Sequence, residues 1–360
     1  MIRLAQLLRQ YQEPLIQQYA TKMQPRHYQA MQAIMDCHTP ACGEMSYVCT
    51  SCGQLETLCH SCGHRSCPAC QHQTNNQWLD RQRQKLLPVE YYMVTFTLPA
   101  QLRAFIWHHQ AWAFNALFSA AAQTLTTFAK HDSRLGGIPG MTGVLHTHSR
   151  RMEFHPHVHF VVPGGVFNPQ HSLWKPKPGK YLFNGRAMAK VFRAKFTEAM
   201  SRQGFRIPEH APPQWVVQCQ HVGRGEPALT YLARYLYRGV IREENILRHE
   251  NGEITFQYQD NQTRQWKKRT ETAVKFLWLV LQHVLPKGFR RTRDYGFLHG
   301  NSGQILQRLQ LILRVAFFPS EPETTVSRHC PCCQTVMRLI RFIRPRKTGV
   351  GRQAASPAGR

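Results

Sequence analysis

His155-Pro156-His157-Val158-His159-Phe160-Val161-Val162 is the stretch whose reading decides the fold. Side chains alternate along a β-strand, so His155, His157 and His159 share one face. Val158 and Phe160 turn to the other face, where a core receives them. Imidazoles converging from one strand can hold a divalent ion and leave positions open for a phosphate oxygen. The preceding segment, 143–148 (GVLHTH), reads as another strand. Paired antiparallel with the first, it brings either His146 or His148 to a three-histidine site, and His146 is preferred. The competing reading is a surface strand with chance histidines, in a chain that has 20 of them.

Upstream, Tyr91 to Leu98 (YYMVTFTL) is β-branched and aromatic between Pro88 and Pro99, as a buried strand would be. An Ala- and Phe-rich helix is expected from there to about Lys130, with a turn at Gly136, Gly137, Pro139 and Gly140. Downstream, the pattern predicts a helix over 186–203, a strand over 214–221 and a helix from Glu226 to Val240. A hairpin over 244–270 with its turn near Asp260 and Asn261 follows, then helices at 271–284 and 303–316. The fold class is therefore α+β.

In the 226–240 helix, at about 100° per residue, Tyr231, Tyr235, Arg234 and Arg238 fall on one arc. Leu229, Leu232, Leu236 and Val240 fall on another. The guanidiniums can clamp phosphate oxygens. A phenol with its pKa near 10 needs help to attack phosphorus, and charge stabilisation by a metal supplies part of it. Two phenols one turn apart allow two such steps. Packing of the tyrosines against the core, or stacking on bases, is the plainer alternative.

Lys plus Arg number 46 against 20 Asp plus Glu, a net charge of +26. That excess points to a polyanion, because each cation placed on a phosphate releases condensed counterions. No run approaches the roughly 18 apolar residues of a membrane span, since the longest, around Phe276 to Leu285, is broken by Gln282 and His283. With no secretory pattern at the start, a cytoplasmic, non-membrane protein is expected. There the 12 cysteines are expected to hold metal rather than form disulfides.

Eight cysteines lie within 37–72. Cys49-x-x-Cys52 and Cys67-x-x-Cys70, with 14 residues between them, read as one four-thiolate Zn²⁺ site. Cys37, Cys42, Cys59 and Cys62 read as a second site, with His60 or His64 as substitutes. A closed tetrathiolate is structural rather than catalytic. Cys330-Pro331-Cys332-Cys333 offers three thiolates and needs a partner such as His329. Lys287, Arg290, Arg291 and Arg293, beside Phe289, Tyr295 and Phe297, suit a single strand by tracking its backbone and stacking on its bases. The expected division is a helical segment 1–36, a zinc-binding domain 37–72, a linker helix 73–87, a main domain 88–318, and a C-terminal segment 319–360. From 338 onward that last segment reads as a flexible basic tail.

Taken together, the histidine–hydrophobe–histidine strand and the tyrosine helix resemble the HUH nucleases, which include replication initiators, relaxases and some transposases. The closer similarity is to the two-tyrosine, rolling-circle transposases of the insertion sequence 91 family. It extends over the CPAC of Cys67–Cys70, LLPVEYYMVTFTLP at 86–99, VLHTHSRRMEFHPHVHFVVPGG at 144–165, YLARYLYR at 231–238 and LPKGFRRTRDYGFL at 285–298. The chain departs from the family pattern at Met45 and Ser66, where relatives tend to carry His.

The resemblance implies an antiparallel palm sheet backed by helices, with Thr95 to Pro99 on a central strand. It implies Mg²⁺ or Mn²⁺ held by His157 and His159, and Tyr231 and Tyr235 as nucleophiles forming 5′-phosphotyrosine. The spacing of His146 is similar to that of the third metal histidine in relaxases. The expected partner is DNA, as single-stranded or unwound element ends and target. A plasmid or phage replication initiator and a non-catalytic, zinc-dependent DNA-binding regulator are the alternatives. The second leaves the histidine strand and the tyrosine pair unexplained.

Overall fold

The structure, a computed structural model, describes residues 1–70, 72–227, 229–230, 240–260, 263, 265–315 and 327–344. Tyr231, Arg234, Tyr235 and Arg238 lie outside the described residues, as does the chain beyond 344.

Seven antiparallel strands form the main sheet: β3 (Glu90–Thr97), β4 (Ile138–His148), β5 (Phe154–Pro163), β6 (Gly165–Asn168), β7 (Leu173–Pro176), β8 (Val216–Arg224) and β12 (Thr292–Gly296). Their order is β7-β6-β4-β5-β3-β8, with β12 pairing a further stretch of β4. Strand β3 is an inner strand, flanked by β5 and β8. The period-2 pattern of β3 and β5 sends Tyr92, Val94, Phe96, Val158, Phe160 and Val162 to the rear, all at most 2% exposed. Helices α4 (Arg103–His108), α5 (Gln110–His131) and α6 (Gly185–Arg202) cover that face, and α5 and α6 bring Phe114, Phe118, Phe192 and Phe196 into the same core. Each such side chain contributes about 1.5–3 kcal/mol by burial.

The front face is divided. At one end, helix α3 (His72–Arg83) lays Trp78 over Tyr91, Val144 and Val161. Asp294 on β12 is a polar node there, accepting from the Thr142 hydroxyl at 2.6 Å and the Lys85 ammonium at 2.5 Å. The other end carries the histidines and is open.

Opposite it stands a second body. Strands β9 (Ile246–Glu250), β10 (Glu253–Gln259) and β11 (Trp266–Thr272) form a three-stranded sheet, where one hairpin was expected. Helix α7 (Ala273–Leu281) and the N-terminal helices α1 (Leu4–Tyr19) and α2 (Pro25–Asp36) pack on it through Leu7, Leu8, Met31, Ile34, Phe256, Phe276 and Leu277. The segment 1–36 is thus part of a core shared with residues 241–284. Helix α8 (Gly303–Ile312) closes the far edge near β7.

A small third sheet joins β1 (Glu44–Cys49), β2 (Leu55–Cys59) and β13 (Met337–Ile343), in the order β13-β1-β2. Residues 338–343, read from the sequence as the start of a flexible tail, are therefore a strand. The described residues 327–344 of the C-terminal segment are not separate from the cysteine-rich unit but complete it. Backbone pairing with β1 overrides the basic, loop-like composition. Among the described residues no helix is long and apolar enough to cross a membrane.

Candidate metal and nucleic-acid site

Register sets the site. His146 on β4 stands opposite His157 on β5, and Thr95 on β3 stands opposite His159. Ligand-capable atoms of His146, His157 and His159 lie within 4.8 Å of one another. His148 stands further off, its ring 6.4 Å from that of His146 and 5.1 Å from that of His283.

Hydrogen bonds fix which nitrogen faces inward. His157 Nδ1 lies 2.7 Å from the His155 carbonyl, which only accepts, so Nδ1 carries the proton and Nε2 keeps its lone pair. His159 Nδ1 meets the Thr95 hydroxyl at 2.8 Å. Arg103 donates to His155 Nδ1 at 3.0 Å, so a neutral His155 carries its proton on Nε2. Burial pushes the His157 imidazole down to about 4 and those of His146 and His159 well below the usual range. Three neutral imidazoles, two of them (His157 and His159) with second-sphere partners on Nδ1, are the donor set a divalent cation needs.

The β4–β5 turn that carries these strands is pinned from behind. Gln282 Nε2 and His283 Nε2 both donate to the Met152 carbonyl, at 2.9 and 3.0 Å, and His283 Nδ1 meets the Thr147 hydroxyl at 3.1 Å. The two polar residues that interrupt the apolar run 276–285 are thus what fasten the histidine hairpin. Their only sequence signal is that interruption.

The histidines floor a cleft of about 1160 Å³. Thr97, Arg103 and Gln218 extend the floor, and Val240, Gln257 and Trp266 belong to the opposite wall. Val240 directly follows the segment that holds Tyr231 and Tyr235. The sequence reading did not single out Arg103, Gln218 or Gln220, because each becomes notable only through the register of β3, β5 and β8.

The basic stretch 287–293 is largely not the free surface expected. Phe289 and Phe297 are 8% and 0% exposed and belong to cores, so neither stacks on bases. Arg293 lies over the Phe118 and Phe289 rings, at 4.5 and 5.0 Å. Arg291 donates to the Leu145 carbonyl at 3.1 Å. Lys287 and Arg290 remain exposed. Backbone pairing of β12 with β4 draws the arginines inward. Arg65, from the cysteine-rich loop, clamps the same stretch by donating to the carbonyls of Leu285, Pro286 and Phe289 at 2.9, 2.5 and 2.7 Å.

The cysteines group differently from their spacing. Cys67 and Cys70 meet Cys37 and Cys62, while Cys49 and Cys52 meet Cys330 and Cys333. The expected pairing of Cys49/Cys52 with Cys67/Cys70 is therefore replaced. Cys42 and Cys59 belong to neither group; Cys42 instead donates to the Asp36 carbonyl at 3.1 Å. Sulfur pairs at 3.1 Å (Cys37–Cys70) and 3.4 Å (Cys62–Cys70) are far beyond a disulfide. They are near the roughly 3.8 Å edge of a tetrahedron with about 2.3 Å Zn–S bonds. The hydrogen bond between Cys67 and Cys62 lowers the Cys62 thiol and raises that of Cys67, as in a cluster of sulfurs close enough to share protons.

Residues 7–98 match the family model described as "Transposase zinc-binding domain", and residues 140–304 match the one described as "Putative transposase". The chain is 34% identical over 318 residues to "Putative transposase y4qJ" of Sinorhizobium fredii, covering 82% of this chain and 79% of that protein. It is 28% identical over 303 residues to "Transposase for insertion sequence element IS801" of Pseudomonas savastanoi pv. phaseolicola, covering 78% and 69%. No solved structure matches. An HUH-type antiparallel sheet, a structural zinc-binding unit and these two relatives agree: the chain belongs to the insertion sequence 91 family of transposases.

Proposed function

We propose that this transposase nicks and rejoins single-stranded or unwound DNA through 5′-phosphotyrosine, moving its element by a rolling-circle-like route in the bacterial cytoplasm. The observation that carries the proposal is the meeting of His146, His157 and His159 on the floor of a cleft whose wall includes Val240, next in sequence to the tyrosine segment. His146, His157 and His159 would hold Mg²⁺ or Mn²⁺, which when bound stabilises negative charge on the phosphoryl oxygens.

The rest falls to the protein. The phenol oxygen of Tyr231 or Tyr235 forms a bond to phosphorus as the bond to the 3′ oxygen breaks. A 5′-phosphotyrosine and a free 3′ hydroxyl result, and the phenol proton passes to solvent or to the departing oxygen. The second tyrosine serves the second cut. A 3′ hydroxyl attacking the phosphotyrosine reverses the chemistry and joins strands without an external energy source. Arg234 and Arg238, together with the exposed Lys287 and Arg290, hold the flanking phosphates.

The test is a nicking reaction on a single strand of the element's end, carried out with Mn²⁺ and resolved on a denaturing gel. Wild-type protein is expected to become linked to the 5′ side of the cut. An unchanged adduct in Tyr231→Phe/Tyr235→Phe rejects the assignment, as does full cleavage by His157→Ala.

A further inference from the structure

We propose that Cys49, Cys52, Cys330 and Cys333 form a second structural zinc site, built half from each end of the chain, which clasps residues 327–344 onto the β1–β2 unit. The sulfurs are close: Cys49–Cys333 at 3.4 Å, Cys52–Cys330 at 3.6 Å and Cys52–Cys333 at 3.6 Å. These separations are too long for disulfides and near a zinc tetrahedron's edge.

The two halves also have the same backbone. In one, the Cys49 amide donates to the Gln54 carbonyl at 2.9 Å and the Gly53 amide to the Cys49 carbonyl at 3.1 Å. In the other, the Cys330 amide donates to the Thr335 carbonyl at 2.9 Å and the Gln334 amide to the Cys330 carbonyl at 2.9 Å. Both knuckles turn through a left-handed residue, Gly53 at φ 72° and Gln334 at φ 62°. Amides also point at sulfur in each, Cys52 to Cys49 Sγ at 3.5 Å and Cys332 to Cys330 Sγ at 3.4 Å. Amide donors that stabilise thiolate, repeated in two matching knuckles, are what a cation would select.

The apolar support is thin. Cys49, Cys330 and Met337 are its buried members, with Tyr47 against them. Arg328 adds an exposed ion pair to Glu56, which is worth little. So small a core does not hold a strand by itself, whereas a structural zinc contributes folding energy directly. Cys332 stands apart from the cluster, although it lies between two ligands.

The experiment counts zinc per chain by plasma mass spectrometry on gel-filtered protein. Wild type and Cys332→Ser are expected to carry two. Cys330→Ser/Cys333→Ser is expected to carry one and to release a C-terminal fragment under limited proteolysis. Cys333→His keeps a ligand and is expected to retain two. One zinc in wild type, or two in the double serine variant, overturns the proposal. If the double variant does not fold, zinc released from wild type by a mercurial thiol reagent gives the same count. Two equivalents support the site and one refutes it.

Discussion

The Thr95 hydroxyl sits 2.8 Å from His159 Nδ1, across the β3–β5 pair. That contact leaves Nε2 as the inward-facing nitrogen, and it connects the YYMVTFTL strand to the histidine strand chemically as well as sterically. Losing such a second-sphere partner typically costs about 10–100-fold in metal affinity. Thr95→Val keeps the shape and strand propensity but removes the hydroxyl. It is expected to raise the Mn²⁺ concentration for half-maximal nicking by that factor, with little change at saturating Mn²⁺. An unaltered Mn²⁺ dependence would mean that the bond does not orient the ring.

Arg103 makes a separate prediction. One of its terminal nitrogens bonds His155 Nδ1, yet its Nε is buried without a hydrogen-bond partner among the described residues, at the edge of the cleft. The remaining donors suit a phosphate oxygen. A hydrogen bond to a charged group is worth about 1.5–3 kcal/mol, so Arg103→Ala should weaken single-strand binding by roughly 10–150-fold. Fluorescence anisotropy with a labelled oligonucleotide and no divalent cation reads binding apart from cleavage. Wild-type affinity in the variant would remove Arg103 from the DNA site.

The sequence made the strand faces legible because alternation is local: His157, His159, Val158 and Phe160 fall where period 2 puts them. The pairs Cys49/Cys52 and Cys67/Cys70 were equally legible from spacing, whereas Cys42 and Cys59, read as ligands, belong to neither group. Which pairs share a metal was not legible, since Cys52 and Cys330 are 278 residues apart and meet only because β13 pairs with β1. The stretch 287–298 misled for a related reason. Its charges read as surface, but backbone pairing of Thr292–Gly296 with β4 carries Phe297 into a core and folds Arg293 back over aromatic rings. Thr95 and Gln218 had no signal of their own, for a polar residue on a strand becomes part of a site only through its neighbours.

Acid should destabilise the protein through two histidines outside the three-imidazole cluster. Burial holds His27 and His283 at about 4, below the ordinary 6.5. Their folded-state bonds fit the neutral form: His27 Nδ1 accepts from the Gln24 amide at 2.8 Å, and His283 donates to the Met152 carbonyl. With the folded pKa depressed, the unfolded chain binds more protons between these values. Stability is therefore complete above pH 6.5 and falls as pH drops toward 4, by up to about 1.4 kcal/mol per unit for each histidine. Urea midpoints at pH 7, 6 and 5 should decline less steeply in His27→Gln than in wild type. Subtracting the two curves cancels proton effects on the zinc thiolates. Parallel curves would show that His27 does not titrate with folding.

Gly296 tests the junction that draws the basic stretch inward. It lies opposite Gly140 in the β12–β4 pair with φ at 61°, and a Cβ there would sit 1.7 Å from the Pro139 carbonyl oxygen. Backbone, not a yielding side chain, is what it would strike. The left-handed conformation alone costs a non-glycine residue roughly 1–2 kcal/mol, and the overlap forces the two strands apart. Gly296→Ala is expected to lose about 3 kcal/mol or more, a fall of roughly 6–12 °C in Tm for a domain of this size. Gly300, four residues on, has nothing within 4 Å of its own ideal Cβ position and no positive φ. Gly300→Ala should therefore melt with wild type. Equal melting of both variants would show that the Gly296–Gly140 junction of β12 with β4 opens without cost.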